Sequence, residues 1–187
     1  MREILPDINN IPSEAKCYEL MEEYEMLPNI KDHSILVKDV SMAISINLMQ
    51  SAHINSDLVL AGALLHDIAK TRAVKLKEFG HDKIGAAMMR ELGYNSIADI
   101  IESHVRLKNF DENGNLDERE IVHYADKRVM HDKLVTLEER FIDLNNRYGI
   151  PLNASHIIQA NKEFAHLLEK KIERFMKISI DEALQNL

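Results

Sequence analysis

The run from Leu58 to Lys70, LVLAGALLHDIAK, constrains this chain more than any other stretch. Its first part, Leu58 to Leu65, is apolar or glycine throughout. It is too rich in Ala and Leu to favour a strand, and it reads as a helix buried on most sides. The run then delivers two adjacent polar residues, His66 and Asp67, into the same surroundings. A buried imidazole beside a buried carboxylate is costly unless something pairs with both. A metal ion can do so. So can a His–Asp–Lys hydrogen-bond network, because on a helix Lys70 shares a face with both residues.

Composition limits what can surround this run. A chain of 187 residues holds one domain with a sizeable core. Six Gly and four Pro are few for that length, which argues for an all-α fold over a sandwich or barrel. The net charge of −8 disfavours binding to duplex nucleic acid, yet leaves room for a small phosphorylated substrate in a locally positive site. The single Cys17 has no partner for an intramolecular disulfide. The first ten residues, MREILPDINN, lack a basic segment followed by an apolar one, and no apolar run reaches membrane-spanning length. A cytoplasmic protein without a membrane anchor is the expectation.

Helical periodicity and caps divide the chain. Ser13 caps a first helix that runs to Met26, and Pro28 is expected to break it. Asp32 to His53 carries His33, Leu36, Val37, Val40, Ile44 and Leu48 on one stripe. Ser56 or Asp57 caps the helix of the opening run. Thr71 to Gly80 reads as a basic loop. His81 to Leu92 is a helix stopped by Gly93, with Ile84, Gly85, Met88 and Leu92 on one side. From Ser96, a helix aligns Ile97, Ile100, Ile101 and His104. Asn109 to Asn115 is a polar loop. Asp117 to His131 is a helix with Val122, Ala125, Asp126 and Val129 inward. Thr136 and Glu139 form a capping box for a helix reaching Tyr148, and a last helix covers Ser155 to Ile178. The expected architecture is a helical bundle over residues 30–148, preceded by a helical segment at 1–29 and followed by a helical extension at 149–187 that packs on the bundle or on a second subunit of a homodimer.

His33, His66, His81, His104 and Asp126 each fall on the core-facing stripe of a separate helix. Five polar residues at such positions are hard to explain as independent accidents. Imidazoles and carboxylates converging in a dry centre are what a transition-metal site requires. The order His33 … His66-Asp67 … Asp126, with HDIAK and ADKR, resembles the HD superfamily of metal-dependent phosphohydrolases. His81 in GHDKIGAAMMRELG and His104 in IIESHV resemble the additional histidines of its two-metal subgroups. No Gly-Tyr-Pro follows any histidine, so the chain departs from the branch that hydrolyses cyclic dinucleotides.

That resemblance implies a site. His33, His66 and Asp126 would hold one metal, Asp67 would bridge, and His81 and His104 would complete the second. The ions would be divalent transition metals, Fe, Mn, Co, Ni or Zn in preference to Mg, since the ligands are rich in nitrogen. Asp67 and Lys70 are the candidate catalytic residues, with Lys70 on a phosphate oxygen, and Arg72 and Arg106 are candidate substrate contacts. The implied activity is hydrolysis of a phosphoester or phosphoanhydride bond in a nucleotide or other small phosphorylated metabolite. Two alternatives share the ligand set: a diiron oxygenase, for which Tyr24 and Glu25 would be substrate contacts, and a non-catalytic nucleotide- or metal-sensing module.

Overall fold

The structure, a computed structural model, describes residues 10–151, 153–185 and 187. The reading of the first ten residues as no secretory signal falls almost wholly outside them. Ten α-helices account for most of the described chain: α1 (Glu14–Glu23), α2 (Pro28–Ile46), α3 (Ser56–Leu65), α4 (Lys70–Leu76), α5 (His81–Glu91), α6 (Asn95–Ser103), α7 (Glu118–Lys127), α8 (Leu137–Leu144), α9 (Ser155–Glu173) and α10 (Ile180–Leu184). A two-residue hairpin pairs β1 (Val129–Met130) with β2 (Lys133–Leu134), and a π-helical turn at Asn145–Gly149 extends α8. The fold is all-α apart from that hairpin.

α3 is the centre of the packing. Its Val59 and Ala63 belong to one apolar cluster, formed with α2, α7 and α9. Its Ala61, Leu64 and Leu65 belong to a second, formed with α1, α5 and α6. A helix with apolar residues all round can be buried from both sides, and that is the arrangement here. Gly62 lets α6 approach: a Cβ there would lie 2.6 Å from Ile100 Cδ1. Leu-for-Gly exchange at this point would force the helices apart, whereas the glycine lets α6, and His104 just past its end, come close to α3.

Several boundaries differ from the sequence expectations. Pro28 does not break a helix but starts α2, at the position where its missing N–H is not needed. α2 ends at Ile46, and the chain reaches His53 through a short 3-10 turn. Asn55, rather than Ser56 or Asp57, caps α3, accepting from the Asp57 and Leu58 amides. α3 stops at Leu65; His66 to Ala69 form a tight turn, and Lys70 opens α4, which runs on through Leu76 into the segment read as a loop. On α5 the buried residues are Gly85, Ala86 and Met89, and Leu92, just past its end, is 40% exposed. α7 ends at Lys127, where the hairpin takes over. α9 ends at Glu173, and Ile157 is half exposed rather than on its buried stripe. The caps at Ser13 and at Thr136–Glu139 form as the sequence predicts.

Candidate metal centre

Local structure aims each polar residue at one point. His33 lies in the first turns of α2, and Asp126 near the end of α7. His66 and Asp67 occupy the turn where α3 stops, so an apolar, largely buried helix leads straight into them. Gly80 takes φ +83°, a conformation open to glycine, and turns the chain so that His81 begins α5. His104 follows the last residue of α6.

These six side chains meet. His33 Nε2 lies 3.0 Å from Asp126 Oδ1, and His66 Nε2 lies 3.8 Å from the same oxygen. On the other side, His81 Nε2 and His104 Nε2 lie 3.2 and 3.5 Å from Asp67 Oδ1, and 3.2 Å from each other. The second oxygen of Asp67, Oδ2, faces His66 Nε2 at 3.5 Å and His33 Nε2 at 4.0 Å. Asp67 therefore stands between two groups, His33–His66–Asp126 and His81–His104, with one oxygen turned to each. Within each of the two sets His33, His66, Asp126 and Asp67, His81, His104, the donor atoms lie within 4.8 Å of one another.

Backbone carbonyls fix the ring orientation. The Nδ1–H groups of His33, His66 and His104 donate to the carbonyls of His131, Ala63 and Ile101 at 3.0, 2.7 and 2.6 Å. A carbonyl only accepts, so Nδ1 carries the proton, and a neutral ring then presents a bare lone pair at Nε2. Burial holds His66 neutral, with its pKa down to about 3 in spite of the nearby Asp67. Asp67 and Asp126 are ionised, held well below the usual carboxylate range. Burial opposes this, but the imidazole and ammonium groups around the two carboxylates outweigh it, Lys70 at Asp67 and Lys127 at Asp126 among them.

Lone pairs thus face carboxylate oxygens across a dry centre, an arrangement that repels unless a cation sits between them. Protons on one or two rings would relieve only one or two contacts, and charged imidazoles this close repel each other. His66 Nε2 and Asp67 Oδ1 are buried without any hydrogen-bond partner. Native structures rarely leave such atoms unmatched, and each costs about 1–3 kcal/mol. Nitrogen and oxygen donors in two groups of three fit divalent metal ions.

The centre opens into a cleft of about 490 Å³. Lys70 lines it, with Nζ 2.5 Å from Asp67 Oδ2. Lys127 also lines it; its Nζ donates to Asp126 Oδ2 at 2.7 Å and to the His104 carbonyl at 3.1 Å. Sequence reasoning missed Lys127, although its place beside a candidate ligand was a signal. The His131 carbonyl, which orients His33, comes from the hairpin after α7. The far wall, with Arg140, Arg147, Tyr148 and Asn161, was not foreseen. Arg72 and Arg106 are not among the lining residues: Arg72 pairs with Glu78, and Arg106 is exposed. Tyr24 and Glu25 stand outside the lining too, Glu25 pairing with Lys75.

A family profile described as HD domain matches residues 30–130, more than half of the chain. A tRNA (cytidine(56)-2'-O)-methyltransferase of Thermoplasma volcanium is 31% identical over 96 residues, which cover 51% of this chain but only 26% of that protein. An uncharacterised protein of Methanocaldococcus jannaschii is 26% identical over 157 residues, covering 75% of this chain and 90% of the relative. No solved structure matches. No helix among the described residues is long and apolar enough to cross a membrane.

Proposed function

The chain belongs to the HD-domain family, and from that premise and the cleft we propose that it is a metal-dependent hydrolase of a phosphoester or phosphoanhydride bond in a small phosphorylated metabolite. HD domains are commonly metal-dependent hydrolases, which sets the reaction class. The observation that carries the reading is the pair of unpartnered buried atoms, His66 Nε2 and Asp67 Oδ1, in a centre that opens into a cleft lined by cations. Lys70 and Lys127 on the carboxylates of the centre add positive charge that suits a phosphate, which favours this reading over an oxygenase with the same ligands.

His33, His66 and Asp126 would hold one divalent ion and His81 and His104 the other, with Asp67 shared. Such ions polarise a phosphoryl oxygen and lower the pKa of a water they hold. Asp67 suits the shared role because an ionised carboxylate has lone pairs on both oxygens, whereas a neutral imidazole offers one. Lys70 and Lys127 each sit on a carboxylate of the centre. There they lend positive charge to the cleft floor, attracting a phosphate and stabilising charge that develops on its oxygens during bond cleavage. The Nδ1 hydrogen bonds to three carbonyls keep the imidazoles from turning as substrate enters and leaves.

The test is metal analysis of protein purified without chelator, followed by phosphate release from a panel of phosphorylated metabolites in Mn²⁺. Activity that needs a divalent ion and disappears in His66→Ala is expected. Full phosphate release by His66→Ala would show that the centre is misassigned.

A further inference from the structure

The two ligand groups of the centre are not equally built. His33, His66 and His104 have their rings held at Nδ1 by backbone carbonyls, and none of these side chains is more than 8% exposed. His81 differs. Its Nε2 faces Asp67 Oδ1 and His104 Nε2, but no group meets its Nδ1 among the described residues, and its side chain is 26% exposed. An imidazole without such a partner is fixed neither in tautomer nor in ring orientation. It must give up that freedom when it takes an ion. The donors also divide unevenly. His33, His66, Asp126 and Asp67 Oδ2 face one another on one side, against His81, His104 and Asp67 Oδ1 on the other. An ion on the first group would repel another across the shared carboxylate.

The backbone behind His81 is lightly held as well. His81 is the first residue of α5, and Gly80 at the cap position offers no side chain to the amides of the first turn. α7 and α8, in contrast, each begin with a capping box. Residues 77–80 join α4 to α5, and both ends of this loop are left-handed, Lys77 at φ +54° and Gly80 at φ +83°. Between them Phe79 is 100% exposed, so its ring packs on nothing that would anchor the loop. The Glu78 amide donates to the Ala73 carbonyl, and the exposed Arg72 pairs with Glu78. Those contacts tie the loop to α4 and leave its junction with His81 to the glycine, the residue with the widest backbone freedom.

We propose that His81 is an adjustable ligand: the group of Asp67, His81 and His104 takes its divalent ion second and more weakly, and the clamping of His81 orders the loop of residues 77–80. Because His81 lines the cleft, the edge of the cleft then responds to the free concentration of the ion. The proposal rests on the metal-centre reading and not on hydrolysis. Calorimetric titration of the chelator-stripped full chain with Zn²⁺ is expected to resolve two equivalents, the second weaker by about tenfold or more, the usual worth of an orienting partner. His81→Ala should keep the tight equivalent and lose the weak one. The chain has no tryptophan, so Phe79→Trp places a single fluorescent probe on the loop. Its anisotropy should stay level through the first equivalent and rise with the second. In Phe79→Trp/His81→Ala it should stay level throughout. The proposal is overturned by two equivalents of equal affinity, by retention of both in His81→Ala, or by an anisotropy that rises with the first equivalent or never rises; metal-dependent phosphate release would then still support the hydrolase reading. A wild-type protein that takes up no Zn²⁺ would overturn the centre itself, and both readings with it. The stepwise pattern in a protein that releases no phosphate would overturn the hydrolase reading and leave this one standing.

Discussion

α7 carries two buried polar clusters on opposite faces, and they differ in one respect. Toward α9 and α10, Lys171 Nζ donates to Glu120 Oε1 at 2.7 Å, and both residues are at most 3% exposed. The other oxygen of Glu120 accepts from the Asp117 amide, closing the capping box of α7. Arg128 donates to the Tyr124 hydroxyl, the Val135 carbonyl and Asp181, and the Tyr124 hydroxyl donates to Glu169. Toward the cleft, Asp126 joins a cluster in which His66 Nε2 and Asp67 Oδ1 have no partner. Both clusters remove charge from water. The first is matched from within the chain and needs nothing more. The second is left short of positive charge at the point where its donor atoms converge. Burial of polar residues alone does not identify a functional site; donor atoms that converge from several helices and stay unsatisfied point to one.

The largest expected difference between the clusters is in catalysis. Asp67→Ala should lower metal-dependent phosphate release by about 10³-fold or more, because the charge stabilisation it organises is worth several kcal/mol. Bound metal should fall with it, while circular dichroism still reports a helical protein. If metal content stayed at the wild-type level, the bridging role of Asp67 would be lost.

The matched cluster should answer in stability. Lys171→Met leaves Glu120 buried without its partner and should cost about 3–5 kcal/mol in denaturant unfolding. The double variant Lys171→Met/Glu120→Leu should recover much of that, since a buried pair is often replaceable by apolar residues. Metal content should not change in either. A Lys171→Met protein of normal stability that had lost its metal would erase the distinction between the two faces.

A smaller effect should appear with pH in chelator-treated protein. Burial holds both His66 and His123 neutral, each with a pKa lowered to about 3. In the unfolded chain these rings take up protons near pH 6.5. Unfolding therefore binds protons below that pH. The stability the neutral rings contribute is fully present above about 6.5 and drains away as the pH falls from there toward 3. At pH 5.5 the loss should be roughly 1 kcal/mol for each ring. Melting curves from pH 7.5 to 4.5 measure it, and a melting temperature that held steady would mean that these rings are not kept neutral. The smallest effect belongs to the rim of the matched cluster. Asp181 is 84% exposed where it meets Arg128, so Asp181→Asn should cost less than about 1 kcal/mol and spare activity.

The residues of the candidate centre were legible in the sequence because a buried polar residue interrupts an apolar pattern. His33, His66 and His104 are conspicuous on stripes that are otherwise aliphatic, and HDIAK adds a family likeness. Lys127 was harder to see, since a lysine beside an aspartate on a helix is ordinary surface chemistry until Asp126 is known to point inward. The stop of α3 at Leu65 escaped notice because nothing in HDIAK resembles a helix breaker; the turn is imposed by packing at the junction of two apolar clusters. The carbonyls of Ala63, Ile101 and His131 had no sequence signature at all, because every residue has one.

Sequence alone therefore determined the helical class, the caps at Ser13 and Thr136, and the residue types of the centre. Those follow from local rules: helical spacing, short-range hydrogen bonds, and the cost of polar groups on apolar faces. Tertiary structure decided which oxygen of Asp67 faces which histidines, that Arg72 and Arg106 stand outside the cleft, and that Arg140, Tyr148 and Asn161 form its far wall. An arginine on an amphipathic helix reads as solvated when its neighbours in sequence are all that is known. Only the packing of α8 against α9 beside the cleft takes most of Arg140 out of water.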